Sequence, residues 1–324
     1  MLKLILRIAA ALVVALALLL AGSRFAADRR EVDEAAALTV EGSRMIGTPL
    51  GVIHVVERGP EDGVPVLLVH GAVGWSGMWV DTLDVLAAEG YRAIAIDLPP
   101  MGLSERSDRT DYSRQAQGLR ILATVEAEGM TPILVAHSFG AGAVAEAMIA
   151  DPDTFRGAVI VDGALSLGQD GTGRTLPWYL AWAGMRETAL AASVLNPKLS
   201  AWLYKRFLYR KDALTEAQHD LFRHPLTRKG TTPAMAAWLP TLLIPPRGAR
   251  STDAAAYADL DLPVLLIWGT EDTVTPPREA DLLSTALGGA PVTWLEGVGH
   301  IPQVEEPAAF HAALVAAIDG LSRP

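Results

Sequence analysis

Short apolar runs alternate with helix-compatible stretches along most of this 324-residue chain. The runs are rich in Val, Ile and Leu and are bounded by Gly, Pro or Asp, as buried strands usually are. Helix-compatible stretches such as 79–89, 113–128 and 140–150 separate most of them. The alternation predicts repeated βαβ units, and hence an α/β fold with a mostly parallel central sheet flanked by helices. The predicted strands are Gly51–Glu57, Val64–His70, Tyr91–Asp97, Ile133–Ala136, Ala158–Asp162, Val264–Trp268 and Val292–Leu295.

One long stretch, residues 166–260, breaks this alternation. It contains no convincing strand but has helical segments and four of the eight tryptophans. We expect an inserted helical cap, with a core made of residues 50–165 and 261–324. Such an insertion lies over the carboxyl ends of the strands, where open α/β sheets place their ligands. For any single cap aromatic, packing inside the cap itself is the simpler interpretation. The four tryptophans are Trp178, Trp182, Trp202 and Trp238.

Composition narrows the possible functions. The formal net charge of -10 and the absence of a Lys/Arg cluster argue against binding to nucleic acid. The chain has no cysteine, which excludes disulfides, thiol nucleophiles and thiolate metal sites. The histidines show no metal-ligand spacing, so we expect neither a metal nor a cofactor. We expect His70 and His137 to orient loops by hydrogen bonds.

The N-terminal segment is of a membrane-targeting type. Lys3 and Arg7 precede fifteen uncharged residues, Ile8–Gly22, and three arginines follow. This length suits the apolar part of a signal peptide, or a spanning helix if the preceding residues also enter the bilayer. We predict a single-pass membrane anchor over residues 1–26 and a tether over 27–49. The alternative is export after cleavage near Gly22, and the sequence leaves the membrane orientation open.

Ser138 lies between the apolar run that ends at Ala136 and a run of small residues that begins at Gly140. The pattern predicts a sharp turn from strand to helix with the serine at the corner. Such a turn exposes a hydroxyl above the sheet, next to backbone N–H groups at the start of the helix. The pattern is therefore typical of a nucleophilic serine.

Two later loops offer the partners that a serine nucleophile needs. Asp272 lies in a turn after the strand Val264–Trp268, and His300 lies in a Gly-rich loop after the strand Val292–Leu295. A histidine takes the proton of the serine, and a carboxylate orients the histidine. The chain order Ser, Asp, His is the one found in α/β-hydrolases.

Four separated motifs resemble the α/β-hydrolase family over residues 50–318. By this resemblance Ser138 is the nucleophile, His300 the general base and then acid, and Asp272 the orienting carboxylate. The backbone N–H groups of Ala72 and Phe139 would form the oxyanion hole. The motifs are His70-Gly71 with Trp79 nearby, Asp97-Leu-Pro-Pro-Met-Gly102-Leu-Ser104, the Ser138 turn, and Gly-x-x-Asp272 with Gly-His300.

Two positions depart from the family pattern. Ala136 stands where the family's Gly-x-Ser-x-Gly turn has its first glycine, a small-for-small change. Pro100 replaces a glycine in the segment after Asp97, which stiffens that loop and bears on specificity.

The resemblance implies a serine hydrolase of carboxylic esters, acting on a small acyl substrate of hydrophobic character. A serine at the turn argues against the family members that open epoxides or displace halide, because those use an aspartate there. Carbon–carbon bond hydrolysis, thioester or lactone hydrolysis and peracid formation remain alternatives within the fold. A further alternative is a non-catalytic, membrane-tethered binding protein.

Two other interpretations of the central motif compete with this one. Gly140-Ala-Gly142-Ala-Val-Ala145 also matches a dinucleotide-binding fingerprint, with Asp162 placed 22 residues after its first glycine. Asp162 is also an alternative orienting acid, because some relatives carry that carboxylate after the earlier strand.

Overall fold

The computed structural model describes residues 1–106 and 111–322. Its centre is a sheet of eight strands in the order β1-β2-β4-β3-β5-β6-β7-β8. β1 and β2 are antiparallel to their neighbours, and the pairs from β4 to β8 are parallel. The strands are β1 Ser43–Thr48, β2 Gly51–Arg58, β3 Pro65–Val69, β4 Arg92–Ile96, β5 Ile133–His137, β6 Gly157–Val161, β7 Val264–Gly269 and β8 Val292–Leu295.

Helices cover both faces of this sheet, as the sequence predicts. The predicted core also includes residues 107–110 and 323–324, which lie outside the described residues. The helices are α1 Leu2–Arg30, α2 Val80–Ala88, α3 Arg114–Glu128, α4 Gly140–Ala150, α5 Ala183–Ala192, α6 Pro197–Lys205, α7 Glu216–Arg223, α8 Thr231–Leu243, α9 Ala255–Ala258, α10 Pro277–Ala286, α11 Pro302–Glu305 and α12 Pro307–Ser322.

The strand β3 illustrates why these apolar runs form the centre of the sheet. Leu67 and Val69 pack on one face in a cluster with side chains of α3, α4 and α10. Val66 and Leu68 pack on the other face with side chains of α2 and α12. Because both faces are buried, the strand is a continuous apolar run rather than an alternating one.

The seven predicted strands are all present, but the sequence missed β1. Ser43–Thr48 pairs with β2 in register from Ser43 opposite Val56 to Thr48 opposite Gly51. Only Ile46 is buried in this edge strand, so no apolar run marks it. The expectation of a tether over 27–49 is wrong for this part, because the sheet already begins at Ser43.

Helix α1 crosses the expected boundary between anchor and tether at residue 26. Its first eighteen residues are exposed, and its most apolar 18-residue window has a mean hydropathy of 2.8. By length and composition it is sufficient to cross a membrane, and a signal sequence meets the same criterion. Its last two turns lie against the protein body, where Ala27 is buried and Arg24 pairs with Glu187.

Helices and loops occupy the chain between β6 and β7, and Trp238 of α8 packs against Phe139, which lies just after the carboxyl end of β5. Trp238 is buried there with Leu190 and Met235. The other three tryptophans are largely exposed, so among the four tryptophans the expectation that cap aromatics pack inside the cap is right for Trp238 alone; Tyr204 and Phe222 are also buried, in a second cluster. Trp178, Trp182 and Trp202 expose 83%, 75% and 58% of their surface.

Candidate active site

Ser138 lies at the turn between β5 and α4, with a backbone φ of 51°. This left-handed conformation is held from both sides, because the Ser138 N–H donates to Val161 O and the Ser138 carbonyl accepts from Ala164 N. The next glycine is required for packing: a Cβ on Gly140 would lie 2.5 Å from the carbonyl oxygen of His70. The turn thus presses the start of α4 against the end of β3.

The three residues that the sequence nominates come together at the carboxyl end of the sheet. His300 Nε2 lies 2.7 Å from Ser138 Oγ, and His300 Nδ1 lies 2.7 Å from Asp272 Oδ2. Ser138, Asp272 and His300 follow β5, β7 and β8 respectively. All three side chains are buried, with Ser138 retaining 7% of its surface exposed.

The Asp272 carboxylate is fixed by several donors. Its Oδ1 accepts from the N–H groups of Val274 and Thr275, at 2.7 and 3.0 Å. Its Oδ2 accepts from Thr275 Oγ1 at 2.7 Å as well as from His300. Burial alone would raise the pKa of Asp272, but the hydrogen bond and charge of His300 and the Thr275 and Val274 donors hold it below its usual range. An ionised Asp272 places the His300 proton on Nδ1, which leaves Nε2 free to accept from Ser138 Oγ.

Asp162, the alternative orienting acid, occupies a different position. It lies directly after β6 and is fully buried, with Oδ1 accepting from Gly269 N at 2.9 Å. Its Oδ2 has no hydrogen-bond partner among the described residues. Burial, and then the neighbouring Asp272 carboxylate, raise the pKa of Asp162 well above its usual range. His300 therefore pairs with Asp272 and not with Asp162.

The glycines of the dinucleotide-like motif are covered by protein. A side chain at Gly140 would meet the end of β3, and one at Gly142 would overlap the guanidinium of Arg114. A pyrophosphate needs open backbone at these positions, so the geometry opposes dinucleotide binding here.

Two backbone N–H groups border Ser138. Gly71 lies so close that a Cβ there would be 3.0 Å from Ser138 Cβ, and Ala72 follows it directly. Phe139 is the residue after Ser138. Neither the Ala72 N–H nor the Phe139 N–H donates to another group in the described part of the chain.

Two further histidines hold the surrounding loops, as expected. His137 Nε2 donates to the carbonyl of His300 at 2.7 Å, and burial followed by the charge of His300 lowers the pKa of His137 to about 3. His70 Nδ1 donates to Gly71 O at 2.8 Å, and its Nε2 accepts from Leu98 N at 3.0 Å. Burial lowers the pKa of His70 as well.

Sequence reasoning missed Glu305, which fixes the His300 loop. Its carboxylate accepts from Gly299 N and Ile301 N on that loop, at 3.0 and 3.2 Å. It also accepts from Tyr209 N and Arg210 N, which belong to the cap. No local motif marks Glu305, because two of its four donors, Tyr209 and Arg210, are distant in the sequence.

A cavity of about 300 Å³ adjoins Phe139, and its wall combines apolar side chains with polar ones such as Ser166, Gln169 and Thr241. A second cavity of about 610 Å³ shares Arg114 and Phe139 with it. In residues 1–106 and 111–322, no group of three or more His, Cys, Asp or Glu side chains is arranged to hold a metal ion. The first cavity is also lined by Ala164, Arg174, Leu242, Leu243 and Pro245.

Comparison with known proteins supports the fold that this geometry indicates. The model of the alpha/beta hydrolase family matches residues 66–313. The chain belongs to the alpha/beta hydrolase family. An uncharacterized protein of Mycobacterium tuberculosis is 30% identical to it over 259 residues, which cover 76% of this chain and 73% of that protein.

Among the other alpha/beta hydrolases, Lipase 3 of Moraxella sp. is 26% identical over 250 residues, covering 75% of this chain and 73% of the lipase. A crystal structure of a membrane phospholipase A, described as a bacterial virulence factor, has a TM-score of 0.68 at 19% identity. That match covers 100% of both chains. Family membership and the lipase relatives support a hydrolase that acts on esters in general.

Proposed function

We propose that this alpha/beta hydrolase is a serine hydrolase of carboxylic esters. The observation that carries the proposal is the hydrogen-bonded row Ser138 Oγ, His300 Nε2, His300 Nδ1 and Asp272 Oδ2, with both links at 2.7 Å. A serine that hydrogen-bonds to an oriented imidazole is the arrangement that acyl transfer needs.

In the first half of the reaction, Ser138 Oγ attacks the carbonyl carbon of the ester while His300 Nε2 takes the hydroxyl proton. The carbonyl oxygen becomes an oxyanion, which accepts from the N–H groups of Ala72 and Phe139. His300 then gives the proton to the alcohol as the carbon–oxygen bond breaks, and an acyl-enzyme remains. Each oxyanion donor is typically worth about 10²–10³ in rate.

In the second half, water replaces the alcohol. His300 takes a proton from the water as its oxygen attacks the acyl carbon, and returns that proton to Ser138 Oγ as the acid leaves. Asp272 stabilises the imidazolium in both halves without taking the proton itself.

The mostly apolar wall of the larger cavity next to Phe139 supports a hydrophobic acyl substrate. Pro240, Ile244 and Pro245 line this cavity, and Phe139 packs edge-on against Trp238 with ring centroids 5.3 Å apart. The lipase relatives point to the same class of substrate.

We also propose that α1 is an uncleaved membrane anchor. A cut at the small residues Ala21-Gly22-Ser23 would fall inside a continuous helix, next to the Arg24–Glu187 ion pair. N-terminal sequencing of the protein from a membrane fraction decides this: a chain that begins at Met1 supports the anchor, and one that begins near Ser23 supports export after cleavage.

Labelling with a fluorophosphonate tests the serine chemistry. We expect a covalent adduct on the wild-type chain and none on Ser138→Ala, together with loss of ester hydrolysis in that variant. A wild-type chain that forms no adduct would favour a non-catalytic binding protein.

A substrate panel separates the reactions that share this fold. Acyl esters of graded length, the matching thioesters and lactones, and a carbon–carbon ring-fission product should be compared by kcat/KM, with peracid formation measured alongside. We expect the longer acyl esters to be preferred, and a higher value for any other bond type would replace ester hydrolysis as the function.

A further inference from the structure

Six large apolar side chains are exposed on one part of the cap, and we call them the aromatic rim. Four of the six lie on α5, on α8 or directly before the N-terminal end of α5, and these two helices pack against each other. Exposed aromatic side chains on a water-facing surface need a partner when they form one group. The rim consists of Trp178, Tyr179, Trp182, Met185, Leu242 and Leu243.

The contacts of α1 show which part of that helix lies next to the aromatic rim. Arg24 pairs with Glu187 of α5 at 2.9 Å, and Arg30 donates to Leu195 O at 3.2 Å. The later residue of α1, Arg30, contacts the later residue of the α5 segment, Leu195. The two helices α1 and α5 therefore run parallel. The N-terminal end of α5, which Trp182 precedes, therefore lies toward the apolar part of α1.

Helix α8 runs the other way and reaches the same level. Thr232 at its start donates to Glu31 at 3.0 Å, and Ala236, one turn later, accepts from Arg186 of α5 at 2.7 Å. Its C-terminal end, with Leu242 and Leu243, therefore lies on the same side of the cap as Trp182.

The hydrogen bonds of one arginine fix the two parts of the rim to each other. The Arg186 guanidinium donates to Leu180 O and Ala181 O, both at 2.9 Å, as well as to Ala236 O. The residues around Trp178 and Trp182 are thus tied to α5 and α8 and do not form a free loop.

The level of the rim coincides with the end of the apolar run in α1. Residues 2–19 of α1 are exposed, Leu20 is the first that the protein body partly covers, and Arg24 is the first charged residue after Arg7. A spanning helix would leave the hydrocarbon near this point. Trp and Tyr concentrate at that depth, because their rings are apolar and their N–H or O–H groups are polar.

We propose that the aromatic rim docks into the surface of the lipid bilayer that α1 spans. The partner is the lipid bilayer itself, and the rim holds the cap against it as a second contact beside α1. The cavity at Phe139, which Leu242 and Leu243 line, then faces lipid, so that an acyl ester enters from the bilayer. The docking rests on the proposed anchor, and the route of entry rests on the proposed ester hydrolysis.

Site-directed spin labelling tests the docking on the full chain, which has no native cysteine to interfere. Tyr179→Cys and Leu243→Cys carry a nitroxide on the rim, and Leu282→Cys on α10 is the matched control, because Leu243 and Leu282 are similarly exposed at 48% and 51%. Leu12→Cys reports the apolar part of α1. The protein is reconstituted in vesicles of phosphatidylcholine and phosphatidylglycerol.

In these vesicles we expect the labels at 179, 243 and 12 to collide more with oxygen and less with an aqueous nickel reagent than the label at 282. The docking is overturned if the labels at 179 and 243 collide with the nickel reagent as often as the label at 282 does, while the label at 12 remains in lipid. A label at 12 that meets nickel overturns both the anchor and the docking. Dipolar broadening between rim labels of different molecules would assign the rim to a second copy instead.

Activity provides a separate readout of the route of entry. The double variant Trp178→Ser/Trp182→Ser should lose turnover of an ester dissolved in vesicles while keeping turnover of a short water-soluble ester. Trp294→Ser, on β8 of the core, is the control and should keep both. Equal loss of both activities in the double variant overturns the route, whereas a wild-type chain without turnover overturns the proposed function and leaves the labelling result intact.

Discussion

Asp272 and Asp162 are two buried carboxyl groups near His300, and they differ in their hydrogen bonds and in the direction of their pKa shifts. Asp272 receives four hydrogen bonds and stays ionised, whereas Asp162 has one oxygen without a partner. Two neighbouring carboxylates away from water cannot both carry a charge without a large penalty. The raised pKa of Asp162 follows from its burial and from the Asp272 charge next to it. Asp162 is therefore the member of the pair that holds a proton more tightly.

This difference gives a matched pair of variants. We expect Asp272→Asn to lower kcat by about 10⁴, because an amide no longer holds His300 in the tautomer that accepts from Ser138. Asp162→Asn keeps the shape of the side chain and an acceptor for Gly269 N, and it leaves the contact between Asp272 and His300 in place, so its kcat should stay within about tenfold of wild type. Steady-state ester hydrolysis at pH 7.5 measures both, and a larger loss in Asp162→Asn would make that residue the orienting acid.

The pKa of His137 predicts how stability depends on pH. The folded state keeps His137 neutral down to about pH 3, whereas the unfolded chain takes up its proton near pH 6.5. The unfolded state therefore binds more protons below pH 6.5, and the free energy of unfolding should fall as the pH drops from 6.5 toward 3. The shift corresponds to roughly 3 kcal/mol by pH 4.

His137→Gln removes this titration but keeps a donor for the carbonyl of His300. Urea unfolding of wild type and variant between pH 4 and pH 7 should give curves that converge toward acid pH. Parallel curves over the whole range would mean that His137 does not carry the acid sensitivity.

The sequence predicted those helices and strands whose side chains are largely buried, because burial leaves an apolar run in the sequence. Strands such as β3 and β5 are buried on both faces, and their apolar runs identified them to within two residues. β1 was missed because Ile46 is its only buried residue and its stability comes from pairing with β2. The boundary inside α1 was misplaced for a related reason, since Arg24 and Arg30 look like linker residues until the cap supplies their partners.

The candidate site was predicted to the extent that local motifs encode it. Ser138, Asp272 and His300 each lie in a turn directly after a predicted strand, and parallel strands bring such turns to one edge. Glu305 has no such mark, because its donors come from the His300 loop and from the cap. The exposure of Trp178 and Trp182 was also beyond the sequence, since only the packing of α5 and α8 determines which cap aromatics are covered.

The close packing of the turn between β5 and α4 predicts that adding one methyl group at Gly140 destabilises the protein. Gly140→Ala places a Cβ 2.5 Å from the carbonyl oxygen of His70, so the end of β3 and the start of α4 must separate. We expect a loss of about 1–3 kcal/mol in unfolding free energy. We also expect a lower kcat, because His70 and Gly71 set the position of the Ala72 N–H.

Ala136→Gly is the control for this change, because it restores the glycine that the family carries at the same turn. It should cost about 0.5–1 kcal/mol through chain entropy and leave kcat unchanged. Thermal unfolding and ester hydrolysis measure both variants. A Gly140→Ala chain that matches wild type in both measurements would mean that the turn tolerates a wider opening.

Across the whole molecule, α1 connects the N-terminal apolar segment to the cap, and the cap connects to the site. Arg24 and Arg30 contact α5 and the residue Leu195 after it, and Glu31 accepts from the backbone and hydroxyl of Thr232 at the start of α8. Tyr209 and Arg210 of the cap in turn bind Glu305, which holds the His300 loop. The last turns of α1 are therefore part of the folded body, although the sequence assigns them to a tether.

Two truncated chains test this arrangement. A chain that begins at Leu20 keeps every contact of α1 with the cap, and we expect it to unfold at the wild-type temperature. A chain that begins at Glu31 loses the Arg24 ion pair, the buried Ala27 and the Arg30 hydrogen bond, together of the order of 2–3 kcal/mol. For a domain of this size, its midpoint should fall by about 5 °C. Differential scanning calorimetry in the same detergent compares the two chains, and equal midpoints would show that the end of α1 is a tether after all.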